Sequence, residues 1–298
     1  MNVTVLLGGP SAERQISLVS GAAVAAGLRQ AGHCVYESDI SPSDLSGLDK
    51  PADVIFPVLH GEFGEDGQLQ EILEARKLAF VGSGSKASRI GMNKVACKEL
   101  WHQAGLPTAP WEVRTTAAPE AWTGPVVVKA ISSGSSIDVF VCKDQASAAK
   151  AVAEVVGRHG KALVEQFVAG IELTVGLLEE QPLAPIRIVP RSEFFDYQAK
   201  YQANDTEHRF DTGLPARVVE HCRELARQAN AVVGARDLAR IDIIVDSQHR
   251  PWLLEINTLP GFTPKSLLPE AAAHAGMGFP ALVDRLVRRA QQRFGRFA

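Results

Sequence analysis

The chain has 298 residues, 46% hydrophobic and 22% charged, with a formal net charge of −3. This is the composition of a globular protein long enough for two or three cores, and the near balance of charge gives no reason to expect nucleic acid or an anionic membrane as partner. Cys34, Cys97, Cys142 and Cys222 lie far apart with no C-x-x-C pair, so they suggest neither a zinc site nor a disulfide framework and read as reduced thiols of a cytoplasmic protein.

The opening "NVTVLLGG" is a short apolar run ending in glycines, and "PSAERQISLVSGAAVAAGLRQAG" follows with helical spacing and closes at Gly32. That predicts a strand, a Gly-rich turn and a helix. The apolar start is too short and lacks the basic flank of a signal peptide, and no stretch reaches the length of a membrane span. "ADVIFPVLHG" predicts a second buried strand ending at a glycine. Alternating units of this kind argue for a parallel sheet that binds ligands near the carboxyl ends of its strands. The first unit is expected to close at about residue 88.

A second unit, 89–187, opens with "MNKVACKELWHQAGLPTAPWEV", a helix ended by Gly105 and Pro107. "GPVVVKA" is a β-branched strand, "ISSGSSIDVFVCKD" a small-residue loop leading into another, and "QASAAKAVAEVVGRHG" an Ala-rich helix. "KALVEQFVAGIELTVGLL" reads as two strands broken at Gly170. A third unit, 188–298, is expected to hold a polar loop (196–213), a helix (214–233), two strands (239–257) and an arginine-rich terminal helix.

The two strands of the third unit carry the sharpest chemical signal. In "ARIDIIVD", Arg240 and Asp242 share one face while Ile241, Ile243 and Val245 take the other. "PWLLEIN" follows after Ser247-Gln248-His249-Arg250. If those four residues form the hairpin loop, Asp242 faces Glu255 and Arg240 faces Asn257. Directly opposed side chains lie about 4.5–5.5 Å apart, where like charges destabilise the pair. A cation between them removes the penalty, and two carboxylates with an amide oxygen suit Mg²⁺ held together with phosphate oxygens. Taken alone, the same pattern also fits a solvated face of an edge hairpin. "VVVKAISSGSSIDV" places Lys129 at a strand end before Gly134, Ser135 and Ser136, where successive backbone N–H groups can cradle an anion; a plain Ser/Gly turn is the alternative.

Together these stretches resemble the D-alanine–D-alanine ligase family of the ATP-grasp superfamily, in order and over nearly the whole chain. "GGPSAERQISL" is similar to the family's first substrate loop and "HGEFGEDGQLQ" to its His-Gly…Gly-Glu-Asp-Gly segment. "MNKVACKELWHQAGLPTAPW" is similar to its linker into the central domain and "KAISSGSSIDV" to its phosphate-covering loop. "FFDYQAKY" is similar to its mobile omega loop, and "ARIDIIVD…LLEINTLPGFTPKSLLP" to its metal- and carboxylate-binding end. The resemblance implies a three-domain ATP-grasp architecture of α/β and α+β type, with an N-terminal parallel-sheet domain and two α+β lobes sandwiching ATP.

The resemblance also implies roles. Lys94, Lys129 and Lys200 contact ATP phosphates, with Ser136 in the covering loop, while Glu165, Phe167, Val168 and Glu172 form the adenine and ribose pocket. Asp242, Glu255 and Asn257 hold two Mg²⁺, for which Mn²⁺ can substitute. Arg240 sits at the transferred phosphate and the tetrahedral intermediate, and the Gly261 N–H is an oxyanion donor. Glu13 holds the ammonium of the first D-alanine, joined by Ser135 and Tyr201 across the closed site, with His60 nearby. Ser266 and Leu267 receive the carboxylate of the second D-alanine. Lys200 and Tyr201 suit a lid over an acyl phosphate that water would destroy, and the tyrosine points to an amine rather than a hydroxyl acceptor. The implied activity is ATP-dependent formation of D-alanyl-D-alanine for peptidoglycan, by a cytoplasmic homodimer.

Three positions depart from the family pattern. Ala130 follows the strand lysine where proline is usual, Asp138 stands where glycine is usual, and Glu71 where glycine is frequent. Asp138 is expected to turn outward, since an uncompensated carboxylate facing the triphosphate would weaken ATP. Two other readings stay open: a ligase of secondary metabolism using another D-amino acid or amine, and a catalytically inactive nucleotide-binding homologue.

Overall fold

The computed structural model describes residues 1–116, 123–133, 138–190 and 206–295. Three sheets organise them. In the first, β1 (Asn2–Leu7) lies between β2 (Cys34–Asp39) and β3 (Val54–Pro57), all parallel, with Val3 opposite both Val35 and Val54. The apolar β1 and β3 are buried on both faces, as parallel strands are. Helix α1 (Arg14–Gln30) packs Val24, Ala25 and Leu28 against the sheet. Helices α2 (Gln68–Ala75) and α3 (Ser85–Met92) follow.

A break at Asn93 separates α3 from α4 (Lys94–Gln103). Asn93 has φ −102° and ψ 101°, and its side chain accepts from the Ala96 N–H at 3.0 Å. The helix expected from Met92 thus begins at Lys94, where Asn93 caps it, and α3 before it has no counterpart in the sequence reading. The second sheet runs in the order β4 (Trp111–Arg114), β7 (Ala162–Gln166), β5 (Val126–Lys129), β6 (Val139–Cys142), with antiparallel pairing throughout. Helix α5 (Gln145–His159) covers one face, started by an Asp144/Ser147 capping box and stopped at Gly160, whose φ is 74°. Val126 and Val128 join its core, so Val127 and Lys129 face the other way.

The third sheet has the order β11 (Thr206–Arg209), β10 (Ile186–Pro190), β8 (Gly170–Leu178), β12 (Leu238–Asp246), β13 (Pro251–Asn257), with the short β9 (Gln181–Pro182) on β8. Helix α6 (Ala216–Val233) buries Cys222, Leu225 and Ala229 against it. Strand β8, counted from sequence with the central unit, pairs with β12 from Gly170↔Asp246 to Leu178↔Leu238. Residues 206–209, within the stretch expected to be a loop, form β11 against β10; polar strands are common at a sheet edge, where one side stays wet.

Helices α7 (Leu267–His274) and α8 (Phe279–Gly295) end the described chain. Leu282, Val283, Leu286 and Val287 of α8 are fully buried in the core of the first sheet, which Leu178 and Leu238 at the end of the third also enter. Each such side chain contributes about 1.5–3 kcal/mol, so the end of the chain fastens its beginning. Among the described residues the four cysteines are free, Cys34 exposed and the others buried, and no helix is long and apolar enough to cross a membrane.

Candidate active site

The second and third sheets face each other across a cleft of about 250 Å³. The second contributes Val127, Lys129 and Glu165, and the third Glu172, Arg240 and Asp242. Alternation along the strands places them there. On β12, Ile241, Ile243 and Val245 are buried in the core, which leaves Arg240 and Asp242 to the cleft; on β8, Leu173 and Val175 do the same for Glu172 and Thr174.

The hairpin brings Asp242 opposite Glu255 and Arg240 opposite Asn257, as the sequence predicts. The turn closes one residue tighter than expected, with Val245 opposite Pro251, and an irregularity after Asp242 restores the register. Leu254 and Glu255 consequently both line the cleft, since a bulge re-aims the side chains that follow it. Asp242 accepts from the Thr174 hydroxyl at 2.5 Å and from Arg240 through Nε at 3.0 Å and Nη2 at 2.9 Å. Burial works against the Arg240 charge, but Asp242 outweighs it and, with Glu255 and Glu65, raises the guanidinium above its usual range. Asn257 Oδ1 accepts from the Leu259 N–H at 3.0 Å, which fixes the amide and starts the turn toward Gly261.

A second hollow, of about 110 Å³, adjoins the cleft and shares Lys94, Arg240 and Glu255 with it. Lys94 Nζ donates to the Ser133 carbonyl at 2.6 Å and lies 3.8 Å from Glu255. Glu65 and Asn257 also line this hollow. Glu65 is buried and accepts from the Gly61 N–H at 3.0 Å; burial, reinforced by Glu13, pushes its carboxyl up to about 8. His60 is buried nearby, held below the usual imidazole range by burial, with Nε2 lacking a hydrogen-bond partner among the described residues. The Ser11 hydroxyl donates to the His60 carbonyl at 2.6 Å, docking the first loop here, and Glu13 stands at the start of α1 close to Gly61. Gly261 follows β13, and Phe262 anchors that loop against Phe56 at 5.8 Å between ring centres. Ser266 precedes α7, accepting from the Thr263 N–H at 3.0 Å, and Leu267 reaches the cleft wall.

Phe167, Val168 and Glu172 line the same cleft as the buried Glu165. Burial opposes the Glu165 charge, yet Lys129 and Lys98 overcome it and hold the carboxyl below its ordinary value. Of the expected site residues, Ser135, Ser136, Lys200 and Tyr201 lie outside the described residues; Glu13, His60, Gly261 and Ser266 belong to the lining of neither hollow, and the rest line one or both.

Among the polar residues in or behind the site that carry no role in the sequence reading are Glu65, Lys98 and Thr174. Glu65 stands inside the quoted Gly-Glu-Asp-Gly segment, where an acid between glycines was a readable signal. Lys98 sits beside Cys97 and one turn from Trp101, on the apolar stripe of α4. Thr174 gives no signal in sequence, since its partner is 68 positions away.

The departures from the family pattern also find physical reasons. Asp138 has φ 56°, a left-handed conformation that glycine adopts freely and aspartate tolerates. Its carboxylate turns to the last turn of α5, 2.5 Å from Arg158 and 2.6 Å from His159. That is the α5 side of the sheet, away from Lys129 and the cleft. The Ala130 N–H donates to the Asp138 carbonyl at 3.1 Å, a bond that proline could not make. Glu71 lies in the first turn of α2, paired with Arg89.

Among known proteins, residues 37–83 match the family model for the D-ala D-ala ligase N-terminus and residues 100–288 that for its C-terminus. The D-alanine–D-alanine ligase of a Synechococcus strain is 37% identical, covering 98% of this chain and 94% of its own. That of Halorhodospira halophila is 41% identical, covering 97% and 95%. The crystal structure of the Bacillus anthracis D-alanine–D-alanine ligase complexed with ATP covers 100% of both chains at 26% identity, with a TM-score of 0.87.

Proposed function

The chain belongs to the D-alanine–D-alanine ligase family, and from that premise we propose how its own residues divide the work of an ATP-dependent ligase. The enzyme joins two D-alanines through a D-alanyl phosphate and releases ADP and phosphate. The reading rests on one observation above all: the cleft between the two sheets and the smaller hollow meet at Lys94, Arg240 and Glu255.

In this reading the base occupies the end lined by Glu165, Phe167 and Val168, with Glu172 at the ribose. The phosphates run toward Lys129, Lys94 and Arg240. Phosphoryl transfer asks for alignment and charge neutralisation more than for covalent help, and these three cations supply both. The first D-alanine lies in the smaller hollow with its ammonium toward Glu13 and its carboxylate toward Arg240. That carboxylate oxygen attacks the γ-phosphorus and ADP departs. The amine of the second D-alanine, its own carboxylate at Ser266 and the start of α7, then attacks the acyl carbon. Arg240 and the Gly261 N–H receive the oxyanion before phosphate is expelled.

Asp242 and Glu255, directly opposed, with the Asn257 amide oxygen, form a hard-oxygen donor set that fits Mg²⁺ or Mn²⁺. Two such ions would neutralise the transferring phosphate. Arg240 and Thr174 hold Asp242 in place meanwhile. Ser135, Ser136, Lys200 and Tyr201 complete the reading on sequence grounds, as phosphate-loop and lid residues. Division into units near residues 88 and 187, a homodimeric state and a cytoplasmic location are part of the same proposal. The test is phosphate release from ATP with D-alanine as sole amino acid, with mass detection of the dipeptide. ATP turnover without dipeptide would reject the ligase assignment, and faster turnover with another D-amino acid would shift it to a different substrate.

A further inference from the structure

Lys98 is the most buried ammonium among the described residues, with 1% of its side chain exposed, and the ligase mechanism above gives it nothing to do. It rises from α4 behind the cleft wall. Its Nζ lies 2.5 Å from the Thr108 hydroxyl, 3.4 Å from the Ala109 carbonyl and 2.5 Å from Glu165 Oε1. The ring of Trp111 closes the remaining side at 5.5 Å from its centre. These partners leave it no path to solvent or to the cleft.

Lys129 is placed differently. It pairs with the other carboxylate oxygen of Glu165, but it ends β5, is partly exposed and lines the cleft. One buried carboxylate therefore has two ammonium partners, one enclosed behind the wall and one facing the cleft. A buried charge left without a partner is costly, so Glu165 can release Lys129 to a phosphate only because Lys98 remains. Beyond the 2.5 Å contact with Lys98, Glu165 Oε1 meets no further donor among the described residues. A buried acceptor in a cleft wall calls for a donor, and the exocyclic amine of adenine is one.

We propose that Lys98 is a positioning residue for nucleotide selection: it keeps Glu165 a charge-compensated acceptor for a 6-amino purine while Lys129 is drawn to the phosphates. The proposal rests on Glu165 lying at the base, as read above. Without Lys98, Glu165 and Lys129 pair one to one. Binding ATP must then break that pair or proceed without Lys129, and the acceptor for the amine is compromised in either case.

The experiment compares wild type with Lys98→Met, an apolar side chain of similar length, in steady-state kinetics with ATP and with inosine triphosphate, whose 6-oxo group accepts rather than donates. The expected result is a KM for ATP raised tenfold or more, kcat within about threefold, KM for D-alanine unchanged, and the ATP preference reduced at least fivefold. Should the variant fail to fold, Thr108→Val removes one holder of the ammonium and is expected to raise KM for ATP threefold or more with KM for D-alanine unchanged. A folded Lys98→Met, or in its absence Thr108→Val, with KM for ATP and base preference within twofold of wild type overturns the proposal. A wild-type enzyme that does not prefer ATP over inosine triphosphate overturns the placing of the base at Glu165, and the proposal with it.

Discussion

Replacing Asp138 by glycine is expected to leave ATP binding almost untouched, whereas replacing it by alanine destabilises the protein. The carboxylate makes two contacts, with Arg158 at 2.5 Å and His159 at 2.6 Å, both of whose side chains are more than a third exposed. Exposed pairs contribute about 0.2–1 kcal/mol each, so deletion costs about 1 kcal/mol in all. Against this stands the backbone. At φ 56° an ordinary L-residue is strained by about 1–2 kcal/mol, which glycine relieves. Glycine returns part of the gain through its freer unfolded chain, about 0.5–1 kcal/mol. The contributions nearly cancel, and Asp138→Gly is expected within about 1 kcal/mol of wild type. Asp138→Ala loses the pairs and keeps the strain that aspartate already carries, so it is expected to be about 1 kcal/mol less stable, a fall in Tm of about 2–4 °C. Because the carboxylate faces α5, the KM for ATP in the glycine variant should stay within about threefold of wild type. Thermal melts with an ATP titration read both quantities. A tenfold fall in that KM would show a carboxylate acting on the phosphates, and an alanine variant as stable as the glycine variant would refute the strain argument.

Other outcomes follow from the same geometry. Glu255→Gln removes one of two opposed carboxylates and should abolish turnover while the Tm stays within a few degrees; near wild-type activity at low Mg²⁺ would defeat the metal-site reading. Glu65 is pushed from an ordinary 4.5 to about 8, so the folded state keeps a proton that the unfolded chain gives up. Stability should therefore fall as pH rises from about 4.5 to 8 and level off above. Glu65→Gln should flatten that slope, and equal slopes in the two proteins would contradict the burial argument. Gly170 pairs with Asp246 at the end of β8, where a Cβ would run into the Val245 carbonyl. Gly170→Ala should cost on the order of 1–3 kcal/mol; an unchanged Tm would show that the strands part freely.

Strand periodicity alone assigns the chemistry to its faces. Side chains alternate along a strand whatever it packs against, so Arg240 and Asp242 had to lie opposite to Ile241 and Ile243, and the short link to "PWLLEIN" brought Glu255 across from Asp242. Even there the agreement came from two compensating features, a tighter turn and a bulge, because loop length bounds a register without specifying where an extra residue is absorbed. The order of motifs was likewise sufficient to identify the family. Tertiary structure alone decided partnerships between distant segments. Strand β8 reads like its sequence neighbour β7 but hydrogen-bonds to β12, since either sheet could satisfy its backbone and only the packing of Leu173 and Val175 onto α6 selects one. Helix α8 has an amphipathic face that any apolar surface would satisfy, and it closes on the first sheet. Lys98 and Glu165 are 67 positions apart, and nothing local to either announces the other. A buried ammonium is stable only where a carboxylate meets it, and that meeting exists only in the folded chain.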